Sequence, residues 1–168
     1  MDFEDRFKLA DEYLDHVDTM MASIDDEFIK TRYFGFVAVS AVTAYELAIK
    51  DIIYTFCDLK HRALGQLARS RFEKLNGQIK IADIRDRHVS CFGSKYKKRF
   101  IKELEMAEAE ALEGRTGSIK SSYGNLIVWR HNFVHEGEWP STATYTDIRR
   151  SYMHGKSLIR CIDRAMVR

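Results

Sequence analysis

The fold is decided by residues 27–59, which read EFIKTRYFGFVAVSAVTAYELAIKDIIYTFCDL. Apolar side chains recur there at the three- and four-residue steps of an α-helix, and they leave little polar surface on any side. A helix of this kind is buried by its neighbours, so the segment is predicted to be the central helix of the core. Its main face consists of Phe34, Val37, Ala41, Ala44, Tyr45, Ala48, Ile52 and Phe56.

Further helices are predicted on both sides of this segment. Residues 3–24 carry a narrow apolar seam, after which Ser23 and Asp25–Asp26 offer a break and an N-cap. Downstream helices are predicted over 62–75, ended by Asn76–Gly77, over the less regular 78–93, and over 94–113, 118–135 and 144–167. Long helices with short connections predict an all-α fold, an up-and-down bundle of four main helices plus short additional helices.

The composition agrees with a single helical domain over residues 1–168. The chain is 45% apolar and 31% charged, and its one proline and nine glycines are too few for a sandwich of many short strands. A chain of this length folds without a metal or disulfide. No apolar run reaches the roughly 18 residues of a membrane span, and the three cysteines are an odd number without metal spacing. We therefore expect a cytoplasmic protein.

Charge is strongly segregated along the chain. Residues 1–30 hold 10 acidic and 3 basic side chains, whereas residues 60–102 hold 13 basic and 3 acidic ones. One interpretation is that these are solvated helix faces. The other is that the basic stretch forms a surface for a polyanion such as RNA. The segregation alone does not separate the two.

Candidate catalytic or ligand-binding residues are concentrated in residues 123–137, YGNLIVWRHNFVHEG. Arg130 falls on the apolar stripe of this helix, and a buried arginine needs compensation of its charge. It is either tied to a carboxylate or to helix-end carbonyls, or it faces a cleft that binds an anion. His135 lies in the last turn, just before Gly137. It either caps its own helix or acts as a general acid or base.

Glu46 is a further candidate site residue, because its carboxylate lies within the apolar central helix. It either pairs with Lys50 at i,i+4 or forms a semi-buried carboxylate that orients Arg130 or a histidine. His131 and His135 are also four residues apart, a spacing that can chelate a metal. No Glu-x-x-His pair accompanies them, so we expect no metal and no cofactor. Phosphate-binding loops and nucleophile elbows are absent from the sequence.

The hexapeptide Arg130–His135, RHNFVH, resembles the R-x4-H motif of HEPN domains, small helical bundles of which many are metal-independent endoribonucleases. Residues 41–53, AVTAYELAIKDII, are similar to the glutamate-bearing second helix of the family. Residues 91–104, CFGSKYKKRFIKEL, resemble HEPN branches of bacterial toxin and phage-defence systems. Arg149 and His154 match the spacing too, but they lie inside the last helix without the Glu-Gly ending of the first match.

The resemblance implies cleavage of RNA by attack of a ribose 2′-OH, which leaves 2′,3′-cyclic phosphate and 5′-OH ends. In this reading His135 is the acid or base and Arg130 is the phosphate clamp. His131 and Asn132 are auxiliary polar contacts, and Glu46 is an orienting group.

The resemblance also implies a homodimer in which two motifs face one cleft at the two-fold interface. The basic residues Lys95, Lys97, Lys98 and Arg99 are predicted to hold the RNA backbone. An antitoxin or another defence-system protein is a possible partner, and no membrane is expected. The alternative function is a catalytically silent HEPN module, of antitoxin or scaffold type, that binds a partner protein or a nucleotide.

Overall fold

The computed structural model describes residues 2–75 and 77–167. Asn76, which forms half of a predicted helix end, lies outside the described residues. In the described part the chain is 84% helical without strands, which confirms the all-α bundle. The helices are α1 (Lys8–Met20), α2 (Glu27–Lys60), α3 (Arg62–Phe72), α4 (Ile81–Asp83), α5 (Ser94–Glu113), α6 (Ile119–Glu136) and α7 (Tyr145–Val167). None of them combines the length and apolarity needed to cross a bilayer.

The helix ends follow local side-chain chemistry. The Asp26 carboxylate accepts hydrogen bonds from the backbone N–H groups of Phe28 and Ile29 and so starts α2 where the sequence predicts. Thr144 and Asp147 bond each other's backbone N–H groups reciprocally and start α7. At the end of α6, Gly137 adopts a left-handed conformation with φ of 69°, which a glycine adopts without a Cβ clash.

The core is built around α2. All eight residues of its predicted main face are buried, and α7 packs against α2, α5 and α6. The Tyr45 ring lies between those of Tyr123 and Tyr152, with centroids 5.6 and 6.0 Å away. Its hydroxyl donates to the Tyr152 carbonyl over 2.7 Å, which satisfies the polar group of a fully buried side chain.

Part of the negative charge of the N-terminal region is compensated within the chain. Three of its ten carboxylates bind basic side chains of α7, which fixes α1 and the turn before it against that helix. For these three carboxylates the charge segregation reflects intramolecular packing. The pairs are Glu4 with Arg160, Asp11 with Lys156 and Asp18 with Arg149.

The region between α3 and α5 is less regular than predicted. Helix α3 ends at Phe72, three residues early, because Leu75 turns into the core and is buried there. The predicted short helix before Gly93 is present, but α4 continues into a π-helical turn at Ile84–Val89 and a 3-10 turn at Ser90–Phe92.

The connection from α3 to α4 is described at residues 73–75 and 77–80 and is hereafter the 73–80 segment. Three side chains from different elements donate hydrogen bonds to its backbone carbonyls and hold them against the bundle. They are Lys50 to the carbonyl of Glu73 (2.7 Å), His88 to that of Gln78 (2.6 Å) and Tyr123 to that of Ile79 (2.7 Å).

Candidate functional site

A pocket of about 330 Å³ opens at the C-terminal end of α6. It lies between α6, α2 and the 73–80 segment, and it is hereafter the Arg130 pocket. Three of the predicted site residues are brought together in its lining. The lining residues are Val42, Gly77, Lys80, Ile127, Val128, Arg130, His131 and His135.

The two histidines lie side by side on one face of α6. Their ring centroids are 4.6 Å apart and both side chains are exposed. Within the described residues neither imidazole has a hydrogen-bond partner. The end of α6 is instead closed by Gly137, whose N–H donates to the Phe133 carbonyl. His135 thus does not cap its own helix, and as an exposed residue of the pocket lining it is available to exchange protons with a ligand.

Arg130 is half-buried, and its Nε is fully enclosed. No acceptor among residues 2–75 and 77–167 lies within hydrogen-bond distance of this Nε, and no carboxylate of that part pairs with the guanidinium. A buried donor without a partner costs about 1–3 kcal/mol. Because Arg130 also lines the pocket and its guanidinium has no carboxylate partner in that part of the chain, the arrangement favours an arginine that binds an anionic ligand.

Glu46 lies on α2 behind the wall of the pocket. Its Oε1 is buried and has no hydrogen-bond partner among the described residues. A Cβ on Gly77, which lines the pocket, would lie 4.0 Å from that oxygen. Lys50 does not pair with Glu46, because its ammonium binds the Glu73 carbonyl. Glu46 also forms no ion pair with Arg130, so its predicted orienting role stays a prediction.

Asn132 is half-buried on α6 and is not part of the pocket lining. The next residue, Phe133, fixes this end of α6 on α2. A Cβ on Gly35 would lie only 2.2 Å from the Phe133 ring, so the ring fits there because residue 35 has no side chain. Arg32 adds a hydrogen bond of 3.2 Å from its Nη1 to the Gly137 carbonyl. These contacts position the R-x4-H segment.

Lys80 and Gly77 are pocket residues that the sequence did not single out. Both belong to the 73–80 segment, which hydrogen bonds from Lys50, His88 and Tyr123 hold against the bundle. The nearest sequence signal is the run of basic residues over 60–102, to which Lys80 belongs.

The second R-x4-H match has different surroundings. Arg149 forms an ion pair with Asp18 of α1. His154 is buried, and its Nδ1 lies 2.9 Å from the Ser122 hydroxyl of α6. Burial, and next the charge of Arg150, lower the pKa of His154. Both groups are used in packing helices together.

The predicted RNA-binding residues of α5 lie outside the Arg130 pocket. Lys97 binds Asp86 over 2.8 Å, and this ties the first turn of α5 to the π-helical turn. Lys95 and Lys98 are exposed, and Arg99 is half-buried. In the described part of the chain no group of three or more histidine, cysteine or acidic side chains is arranged to hold a metal ion.

Comparison with known proteins gives one match. The family model described as RiboL-PSP-HEPN matches residues 2–168, which include α1 to α7 and the Arg130 pocket. No curated protein and no solved structure matches the chain.

Proposed function

The chain belongs to the RiboL-PSP-HEPN family, and we propose that it is a metal-independent endoribonuclease whose active site is the Arg130 pocket. Membership of a HEPN family indicates a nuclease or RNA-related function. The observation that carries the finer proposal is that one pocket is lined both by an arginine without a partner among the described residues and by an exposed histidine. An arginine is suited to bind phosphate oxygens, and a histidine is suited to transfer protons near neutral pH.

The reaction needs few groups. The ribose 2′-oxygen forms a bond to phosphorus while the bond to the 5′-oxygen breaks, which leaves a 2′,3′-cyclic phosphate and a 5′-OH. A base takes the 2′-OH proton and an acid gives a proton to the leaving oxygen. His135 serves in proton transfer, which contributes about 10²–10⁴ in rate. The Arg130 guanidinium stabilises the charge that develops on the phosphorane oxygens. His131 and Asn132 supply further polar contacts.

RNA is held outside the pocket by the basic side chains of α5 in this proposal. Lys95, Lys98 and Arg99 have no ion-pair partner among the described residues, so their charge is available to phosphates. Lys97 contributes less, because it is already bound to Asp86.

The test uses wild-type protein and an RNA oligonucleotide in EDTA. We expect cleavage to persist and to leave cyclic-phosphate and 5′-OH ends. A second oligonucleotide carries a 2′-deoxyribose on the 5′ side of the main cleavage site, and we expect it to resist cleavage there because the nucleophile is missing. Products with 5′-phosphates, or cleavage of the deoxy-substituted bond, would contradict this mechanism. Complete inactivity would favour a catalytically silent HEPN module.

We also propose that the enzyme is a homodimer that brings two Arg130 pockets to one cleft and acts as a toxin or defence effector. Supporting this, exposed apolar side chains surround the end of α6. Phe28 is 64% exposed, Phe36 54% and Val134 48%, and the Phe36 ring contacts that of Phe133. Such a patch beside a functional pocket is typical of an interaction surface.

Sedimentation of two single variants tests the dimer. Phe36→Asp places a charge in the patch and is expected to convert the dimer to a monomer. Leu67→Asp changes a comparably exposed apolar residue on α3 and is expected to leave the dimer intact. A monomeric wild type, or a dimeric Phe36→Asp variant, would contradict this interface.

A further inference from the structure

A second pocket lies on the other side of the 73–80 segment. It has a volume of about 420 Å³ and is lined by residues of α3, of the 73–80 segment and of the π-helical turn, among them Arg71, Lys74, Gln78 and Arg87. It is hereafter the Arg71 pocket. None of the residues that we assign to catalysis belongs to its lining.

The lining of the Arg71 pocket is positively charged. Arg71, Lys74 and Arg87 are all exposed. In the described part of the chain no carboxylate pairs with Arg71 or Lys74, and Arg87 lies 3.6 Å from Asp83, a long contact. The carboxylate in the lining, Asp86, is neutralised by Arg85 and Lys97. Three cations with little internal compensation favour an anionic ligand.

Asp86 binds two cations at once. Its carboxylate lies 2.6 Å from an Arg85 nitrogen and 2.8 Å from the Lys97 ammonium. The hydrogen bonds from Arg85 and then Lys97 hold the pKa of the Asp86 carboxyl well below its usual range. Asp86 therefore stays ionised and paired, and it does not compensate the three cations of the pocket.

The two pockets share a wall. Gly77 lines the Arg130 pocket and the next residue, Gln78, lines the Arg71 pocket, so their Cα atoms are about 3.8 Å apart. The hydrogen bonds from His88 and Tyr123 fix the carbonyls of Gln78 and Ile79 to the bundle. A single extended polyanion can therefore contact both pockets across one narrow, fixed ridge.

We propose that the Arg71 pocket binds backbone phosphates that flank the scissile bond, on the same RNA strand that the Arg130 pocket cleaves. This inference rests on the proposed nuclease function. The aromatic residue of the pocket, Phe72, is only 3% exposed, so it offers no ring face for a base to stack on. The pocket therefore contacts phosphates, and it strengthens RNA binding without selecting a base sequence.

The experiment compares two triple variants. The first is Arg71→Gln, Lys74→Gln and Arg87→Gln. The matched control, Lys8→Gln, Arg115→Gln and Lys120→Gln, removes three exposed cations outside the basic stretch 60–102. Arg115 and Lys120 lack ion-pair partners among the described residues, and Lys8 forms only an exposed pair with Asp5. Lys120 lies in the first turn of α6, fifteen residues before His135, which places it about 22 Å away along the helix.

The binding probe is a fluorescent single-stranded RNA of about twelve nucleotides, titrated at several salt concentrations. Each lost phosphate contact lowers the salt slope of log affinity by about 0.7. We therefore expect the slope of the first variant to fall by about 2 and its affinity to fall about 10–100-fold at physiological salt. The control is expected to bind as the wild type does.

Cleavage assays separate this inference from the nuclease proposal. The first variant is expected to lose activity on the twelve-nucleotide RNA but to cleave a dinucleoside monophosphate at the wild-type rate, because the scissile phosphate is the single phosphate of that substrate and none flanks it. Equal salt slopes for both triple variants, or a wild type that does not bind the RNA, would overturn the inference. If the wild type binds RNA through this pocket but cleaves none, the assignment of the pocket as a phosphate-binding site stands and the nuclease proposal fails.

Discussion

The Arg130–His135 and Arg149–His154 segments have the same spacing on neighbouring helices and opposite surroundings. Arg149 pairs with Asp18, and His154 is buried against Ser122. Arg130 has a buried Nε that lacks a partner in the described part of the chain, and His135 is exposed in a pocket. Spacing alone does not identify a site. What distinguishes the first segment is that its polar groups are left unsatisfied by the fold.

The difference follows from where each helix is covered. Helix α7 is buried along most of its length, from Ile148 to Met166. On α6 the buried residues end at Ile127, so its last two turns lie at the rim of the bundle. The arginine and histidine on α7 therefore form contacts within the bundle, whereas those on α6 remain available to a ligand.

The largest expected effect distinguishes the two arginines. Arg130→Ala is expected to lower kcat on RNA by about 10²–10³, because it removes the cation that stabilises developing charge. Its free energy of unfolding should not fall, since the Nε has no partner in the described structure to lose. The sequence left open a buried pair with Glu46, whose loss would destabilise the fold, but the structure contains no such pair.

Arg149→Ala is the matched control for that prediction. It breaks a half-exposed ion pair, which contributes at most about 1 kcal/mol, and it should leave cleavage unchanged. Turnover and thermal melting of both variants are the measurements. Equal losses of activity in the two variants would contradict the prediction that Arg130 acts in cleavage and Arg149 does not.

A smaller effect is expected on stability. His154→Ala removes a buried imidazole and leaves the Ser122 hydroxyl without its partner, which is expected to destabilise the fold by about 1–3 kcal/mol. Cleavage at a temperature where the variant is folded should match the wild type. Chemical denaturation gives the free energy of unfolding. A variant as stable as the wild type would show that His154 does not act in packing.

The smallest effect concerns pH. Because the folded pKa of His154 is lowered, the unfolded chain binds its proton first as the pH falls. Its contribution to stability is complete above the unfolded value of about 6.5 and is lost as the pH falls through that value toward the folded pKa. His154→Asn should therefore flatten the dependence of the unfolding free energy between pH 7 and 5. Some dependence should remain, since burial also lowers the pKa of His88. An unchanged pH profile would contradict this assignment.

Much of the fold could be predicted because its signals are local. The apolar face of α2, the Asp26 cap and the bounds of α5 all depend on residues within a few positions of one another. The early end of α3 and the π-helical turn were not predictable in this way. They depend on the burial of Leu75 and on the hydrogen bond between His88 and Gln78, which are tertiary contacts.

The candidate site was also predictable only in part. Arg130 and His135 stand out in the sequence, but the contribution of Lys80 depends on how the 73–80 segment docks on α6. The absence of an ion pair between Glu46 and Lys50 could not be predicted from the sequence of α2 alone. Lys50 instead binds the carbonyl of Glu73, which belongs to the 73–80 segment. The distinction between the two R-x4-H matches likewise requires knowing which helix is enclosed.

The most direct test measures RNA cleavage in EDTA by His135→Ala, with His154→Asn and His16→Ala as controls. His16 is an exposed histidine on α1, so its removal matches the loss of an exposed imidazole. We predict that His135→Ala loses about 10²–10⁴ in rate while remaining folded, and that both controls retain cyclic-phosphate products. Full activity in His135→Ala, or a comparable loss in His154→Asn at unchanged folding, would contradict it.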